Sequence, residues 1–291
     1  MTPNLEPNPV PRWWPAVPQP AGARPSRAAG AGAGAASDIA ATSRAAIRLA
    51  AALIAVALLA PGRALAADAT SPAESAAASL QPFKAAYMLE WKGMDAATAS
   101  LELTHQADGQ WSYVSRNNAR GIFRAVFPGE LTQVSRLRVE AGGVRPLSYR
   151  GDDGSSDKAK DIALDFDWAR RRVTGTAERK PVDLEVHPGV QDVMSVQIAL
   201  IVDLMAGRQP SGYTLVDKDK VKDYVYAGEG KARVATTLGT LETVIWASHR
   251  PNSDRVTRVW YAPSLGYLPV KAERRRGSKL EWSMRLVSVQ R

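Results

Sequence analysis

Residues able to do acid, base or nucleophilic chemistry are few in this chain, and they are scattered. The three histidines, His105, His187 and His249, each stand alone in a strand or at a strand end, with no second histidine three to five residues away. A zinc site needs convergent ligands at such spacings or cysteine thiolates, and the chain has no cysteine. The pattern therefore argues against bound zinc, and the same count removes disulfides. Gly-x-Ser-x-Gly and Ser-x-x-Lys do not occur, and Gly154-Ser155-Ser156 sits in a polar stretch that reads as a turn. A Gly-x-x-x-x-Gly-Lys phosphate cradle is also missing. Paired carboxylates of the glycosidase kind stay open, because their separation in space is not written in the sequence. We assign no catalytic, cofactor-binding or metal-binding residue, and the ligand-binding residues are unknown at this level.

Two other resources carry chemistry. Arg170-Arg171-Arg172, Lys218 with Lys220 and Lys222, and Arg274-Arg275-Arg276 are basic clusters at expected turns or strand edges. There, charge blunts edge pairing and keeps a surface soluble; the functional reading is attraction to anionic envelope material. Asp217, Asp219 and Asp223 interleave with the lysines and weaken the middle cluster as an anion site. Trp91, Trp111, Trp168, Trp246, Trp260 and Trp282 all fall in expected strands. They read as core, with a cavity for an apolar or sugar ligand as the alternative.

The elements that must position these residues are mostly strands. Phe83, Ala85, Tyr87, Leu89 and Trp91 alternate with Lys84, Ala86, Met88 and Glu90, which predicts a strand with one apolar face. Ser100–His105, a turn at Ala107-Asp108-Gly109 and Trp111–Ser115 predict a hairpin. Leu131–Glu140 reads as a strand pair or one bent strand. Asp152–Asp157 is polar and reads as a loop. Ile162–Trp168 alternates apolar residues with carboxylates that must be solvated, and Arg172–Thr176 returns after a tight turn. Val182–His187 is a further strand, ended by Pro188-Gly189. The one convincing helix spans about 192–205, with Val193, Val196, Leu200, Ile201 and Leu204 at helical spacing, Asp192 as N-cap and Gly207 as terminator. It is apolar over much of its circumference, so it packs on the sheet or plugs its open end. Strands at 213–216, 223–227, 232–238, 241–247, 255–261, 268–273 and 280–289 complete the set. The fold class is all-β, mainly antiparallel, with a strongly curved or barrel-like sheet and one packed helix.

Upstream, Arg44 and Arg48 precede a 12-residue apolar run from Leu49 to Ala60, a Pro61-Gly62 break and Ala64-Leu65-Ala66. This reads as an export signal cleaved before Ala67, because a membrane-crossing helix needs about 20 apolar residues. A signal anchor is the alternative, and it would hold the globular part at the inner membrane. Residues 1–43, rich in Pro, Ala and Gly, read as a disordered leader or a misassigned start; 67–81 is a linker, and 82–291 a single β domain. Without cysteine there is no lipobox. Six arginines and two acids precede Ala67, so the rest carries 32 basic and 27 acidic residues, a net charge of +5 against the whole chain's +9. That mild excess is no nucleic-acid footprint.

Several short motifs resemble one family of exported bacterial proteins, domain of unknown function 3108. They are Gly143-Val144-Arg145-Pro146, Phe166-Asp167-Trp168, Gly189-Val190-Gln191-Asp192-Val193-Met194-Ser195, Leu238-Gly239-Thr240-Leu241-Glu242-Thr243, Trp260-Tyr261-Ala262-Pro263 and Tyr267-Leu268-Pro269-Val270, in order over about Phe83 to Val289. The resemblance implies an envelope protein with a curved antiparallel sheet, and it brings no established activity, catalytic residue or cofactor. The expectation is a periplasmic, non-catalytic protein that binds a lipid or other amphiphilic envelope molecule. A polysaccharide hydrolase with two carboxylates and a module binding another envelope protein are the alternatives.

Overall fold

The computed structural model describes residues 79–291. The expected leader at 1–43, the expected export signal at 44–66 and most of the expected linker at 67–81 lie outside the described residues. Among the described residues, no helix is long and apolar enough to cross a membrane.

Fifteen strands form one sheet. In chain order they are β1 (Phe83–Trp91), β2 (Met94–His105), β3 (Trp111–Ala119), β4 (Leu131–Glu140), β5 (Gly143–Asp152), β6 (Ile162–Asp167), β7 (Arg172–Ala177), β8 (Lys180–Glu185), β9 (Gln191–Asp192), β10 (Gly212–Asp217), β11 (Lys220–Thr236), β12 (Gly239–His249), β13 (Arg255–Ala262), β14 (Leu268–Arg276) and β15 (Lys279–Gln290). Their spatial order is β8-β7-β6-β5-β4-β3-β2-β1-β15-β14-β13-β12-β11-β10-β9. Two antiparallel meanders are thus joined where the first strand pairs with the last, Lys84 opposite Gln290 and Trp91 opposite Trp282. Only the two-residue β9 runs parallel to its neighbour, β10.

Alternation decides which face is buried. Along β1, Phe83, Ala85, Tyr87 and Leu89 are buried, and so are Ala97, Ala99, Leu101 and Leu103 along β2. Register shifts at Leu89/Glu90, Arg136/Leu137, Gly228/Lys231, Trp260/Tyr261 and Arg274/Arg275 add local twist, and the sheet curls around this apolar face without closing. Tyr87 Oη shows how strong the curl is: it donates to the Pro269 carbonyl on β14 at 2.9 Å, passing over β15.

The edges β8 and β9 stay unpaired with each other. Next to them, the β7–β8 turn and the β10–β11 turn are linked by two ion pairs, Lys218 to Glu178 at 2.5 Å and Lys180 to Asp219 at 3.3 Å. Helix α1 (Ser195–Met205) lies inside the curl against β4, β5 and β9. Eight of its eleven residues are buried, which is what its apolar circumference requires.

The observed strands differ from the predicted ones for local reasons, and β5 and β9 are additional to them. Residues 223–227 and 232–238 belong to one long strand, β11, that bulges between Gly228 and Lys231 instead of turning. β2 begins at Met94 rather than Ser100, because backbone pairing with β1 needs no apolar alternation. Leu131–Glu140 is a single strand, paired with β5 through Gly142-Gly143. The helix starts at Ser195, three residues later than predicted, because Gln191-Asp192 pairs with β10 first.

A cavity with an arginine-lined mouth

The start of α1 is fixed by a buried carboxylate. Asp192 Oδ1 accepts the backbone N–H groups of Met194 at 2.7 Å and Ser195 at 2.8 Å, while Ser195 Oγ accepts the Asp192 N–H at 2.8 Å. The bonds are reciprocal as in a capping box, but Met194 holds the N-cap position without a side-chain capping bond, and Asp192, predicted as N-cap, acts from two residues upstream. Its other oxygen, Oδ2, accepts from Ser135 Oγ on β4. Burial pushes the Asp192 carboxyl above its ordinary range, and the hydrogen bonds from Ser135, Ser195 and Met194 work against that rise. Gln191 Nε2 donates to the Val144 carbonyl at 2.8 Å, and Tyr113 Oη donates to Gln197 Oε1 at 3.0 Å. At the far end Gly207, at φ +70°, terminates the helix with an Arg208 N–H bond to the Asp203 carbonyl. Held this way, α1 lines a cavity.

The cavity, about 190 Å³, lies between α1 and the inner faces of β2–β4 on one side and β10–β15 on the other. Val196, Leu200 and Ile201 of α1 face Trp246, Tyr261, Trp282 and Met284 across it. The wall has a polarity gradient that follows the two-residue strand period. Along β13 the lining residues are Tyr261, Val259, Thr257 and Arg255; along β12 and just beyond it, Trp246, Ser248 and Arg250; along β14, Ala272 and Arg274. Each of these three adjacent strands runs from apolar or aromatic side chains to an arginine at the same end of the sheet. Asn117 of β3 and Gln133 of β4 line the facing wall.

The mouth arginines are held differently. Arg255 Nε pairs with Glu281 Oε1 at 3.1 Å. Arg274 Nε donates to Thr257 Oγ1 at 3.0 Å, and its guanidinium lies 5.8 Å from the centre of the Trp282 ring. Arg250 has no carboxylate within ion-pair distance among the described residues. Asp217 is the one carboxylate on the described cavity wall, and Lys222 pairs with it. Burial also pushes the Tyr226 and Tyr261 phenols up, so both remain neutral donors.

Most residues singled out by type are placed elsewhere. Trp246 and Trp282 line the cavity, but Trp91, Trp111, Trp168 and Trp260 do not. Trp111 packs against His105 with ring centroids 4.5 Å apart, and Trp168 Nε1 donates to the Pro146 carbonyl. His187 Nδ1 lies 3.1 Å from the Pro188 carbonyl, while His249 is at the mouth with Nδ1 3.0 Å from the Arg250 carbonyl. The basic clusters are largely paired: Arg170 with Asp167, Arg172 with Asp183, Arg275 with Glu273, and Arg276 with Asp254 and Glu281. Strand alternation turns Arg274 inward to the cavity wall, while Arg275 points away. The signal that marks the site is the inner-face series ending in arginine, which no motif of adjacent residues displays.

One acidic group stands outside the cavity. Asp152, Asp153 and Asp161 place carboxylate oxygens within 4.8 Å of one another. Lys158 Nζ reaches Asp152 at 2.7 Å and supplies a positive charge there, holding the Asp152 carboxyl below its usual range. Burial keeps Asp161 above its own range.

Fold and site together define a class: a curled, barrel-like antiparallel sheet wrapped around one helix and an internal cavity. A family model described as protein of unknown function (DUF3108) matches residues 86–277, and the chain belongs to that family. Among solved structures it is similar to a beta-barrel-like protein of domain of unknown function DUF1849 from Brucella abortus. The two share 15% identity at a TM-score of 0.49 over 72% of this chain and 98% of that one. It is also similar to a chain of the Pseudomonas aeruginosa MucA/MucB complex, with 14% identity and a TM-score of 0.36 over 74% of this chain and 53% of that one. A search of curated proteins gives no match.

Proposed function

We propose that this protein is an exported, non-catalytic carrier that holds an anionic amphiphile, its apolar tail in the cavity and its head at the mouth arginines. One observation carries this reading: on three adjacent strands the inner face changes from aromatic or apolar side chains to Arg250, Arg255 and Arg274 at a common end. An apolar tail gains from leaving water along the inner part of that gradient, and an anionic head gains charge-assisted hydrogen bonds at its end. Export is supported by the Arg44–Ala66 pattern, and residues 82–291 act as one domain in this reading. Two-carboxylate glycoside chemistry finds less support, since it needs a second acid opposite Asp217 and the described wall holds none.

The test is native mass spectrometry of protein purified from its own envelope, followed by titration of the emptied protein with a long-chain anionic amphiphile. Retained lipid mass and saturable quenching of tryptophan emission are expected, since Trp246 and Trp282 line the cavity. No retained mass and no saturable response across lipids and glycans would refute the reading.

A further inference from the structure

We infer that the Gly121–Phe127 segment, together with the β1–β2 turn, docks this protein on an anionic phospholipid leaflet. The segment contains a 3₁₀ turn (Gly121–Ala125), and it exposes two large apolar side chains: Ile122 is 73% exposed and Val126 67%. Met94, at the start of β2, is 50% exposed. The two pieces are joined by an Arg120 N–H bond to the Ala96 carbonyl at 2.8 Å, and by the Arg120 guanidinium reaching Met88 Sδ on β1. Phe123 and Phe127 are half-buried, and the Phe127 N–H to Phe123 carbonyl bond closes the turn. The segment is therefore anchored by its phenylalanines while Ile122 and Val126 face water.

Charge identifies the occupant. Lys92, Arg120 and Arg124 belong to the same two pieces of chain as the exposed apolar side chains, and none of them forms an ion pair with a described carboxylate. Of the nearby acids, Asp95 lies in the same hairpin, Glu130 is engaged by Asn118 at 2.7 Å and Arg116 at 3.8 Å, and the Asp152–Asp153–Asp161 group, whose loop packs on Gly129, holds Lys158 against Asp152 and Asp161. Exposed apolar side chains that share a short segment with cations lacking a carboxylate partner match the interfacial zone of an anionic bilayer, where shallow insertion and headgroup attraction add.

The position is as informative as the composition. Asn117 lines the cavity three residues before Arg120, and Ala99 lines it three residues after Ala96. Arg255, opposite Arg276, marks the same end of the sheet on the other wall. The segment thus stands beside the mouth, and a docked protein would present its cavity to the leaflet. Use of the contact for transfer rests on the amphiphile reading; docking itself does not.

The cysteine-free chain allows a position-specific test. Full-length protein carrying Ile122→Cys is labelled with an environment-sensitive dye and mixed with vesicles of phosphatidylglycerol or phosphatidylcholine. Ala107→Cys, in the exposed β2–β3 turn at the opposite end of the sheet, is the control. A blue shift and several-fold brightening at position 122 are expected with phosphatidylglycerol. Little should occur with phosphatidylcholine or at position 107, and Arg120→Glu with Arg124→Glu should abolish the change. A silent dye at 122 while the chain sediments with vesicles through its Leu49–Ala60 run would overturn the inference, as would equal responses at 107 and 122. Amphiphile titration of the same labelled protein without vesicles reports on the cavity separately, so failure of either reading is distinguishable from failure of the other.

Discussion

Ser135 Oγ donates a 2.6 Å hydrogen bond to Asp192 Oδ2, joining residues 57 positions apart in a fully buried setting. Asp192 organises the first turn of α1, and Ser135 belongs to β4, so this bond docks the helix on the sheet wall that faces the cavity. It also explains the Gly189–Ser195 motif as structure: a turn, a cap and a buried anchor. Removing the hydroxyl leaves a buried carboxylate oxygen without its partner. Ser135→Ala should lower stability by about 1–3 kcal/mol in urea unfolding, and a change within error would mean that water replaces the bond.

The same carboxylate makes stability depend on pH with a definite sign. The folded-state value of Asp192 lies above its ordinary 3.8 because of burial, so the folded state holds the proton more tightly than the unfolded chain. Its contribution is fully present below 3.8 and is lost as pH rises through the raised folded value. Asp192→Asn keeps an oxygen for the Met194 and Ser195 N–H groups and does not titrate. Its stability relative to the wild type should therefore improve with rising pH across that window. A constant difference from roughly pH 3 to pH 8 would contradict the assignment.

Two glycines should respond differently to alanine. Gly175 sits in β7 at φ +144°, where a Cβ would lie 1.9 Å from the Ala163 carbonyl oxygen of β6. Gly175→Ala should cost about 1–3 kcal/mol through overpacking and strain. A Cβ at Gly142 would meet no other atom within 4 Å, and Gly142→Ala should stay within about 0.5 kcal/mol of the wild type. Thermal unfolding of the pair checks this, and similar values for both would refute it.

Head and tail recognition should separate by mutation. Arg250→Gln should weaken an anionic long-chain amphiphile about tenfold, the equivalent of one charge-assisted hydrogen bond, and leave a neutral one of equal chain length unchanged. Ala99→Phe adds bulk to the cavity wall and should weaken both. Calorimetric titration distinguishes them; equal losses for both ligands in Arg250→Gln would remove the head-group role.

The ion pairs near the unpaired edges are at least partly solvent-exposed, and their energetic role should be small. Lys218→Ala should change stability by less than about 1 kcal/mol, and the coupling to Glu178 in a double-mutant cycle should fall in the same range. A coupling well above that would mark the pair as a structural lock across the seam.

Much of the fold was legible because the side-chain period of a strand is two. The alternation Phe83, Ala85, Tyr87, Leu89 records which face of β1 is buried whatever lies beside it, and Gly207 or Asp192 needs only local geometry to end or cap a helix. Apolar patterning also separated most of the strands from α1 without any contact information. What alternation leaves open is which surfaces meet. The pairing of Phe83–Trp91 with Lys279–Gln290 joins the two ends of the described chain, and the curl arises from bulges such as Gly228/Lys231 that resemble a turn in one dimension. The cavity exists only after that curl brings Trp246 and Trp282 opposite Leu200 and Ile201. Its arginines are separated by 5 to 24 positions along the chain, as Arg250, Arg255 and Arg274 show, and converge because neighbouring antiparallel strands share an end. The sequence by itself determined the family, most of the strands and the buried face. The tertiary structure alone decided the site, because a cavity is a property of curvature and long-range pairing, which no local pattern encodes.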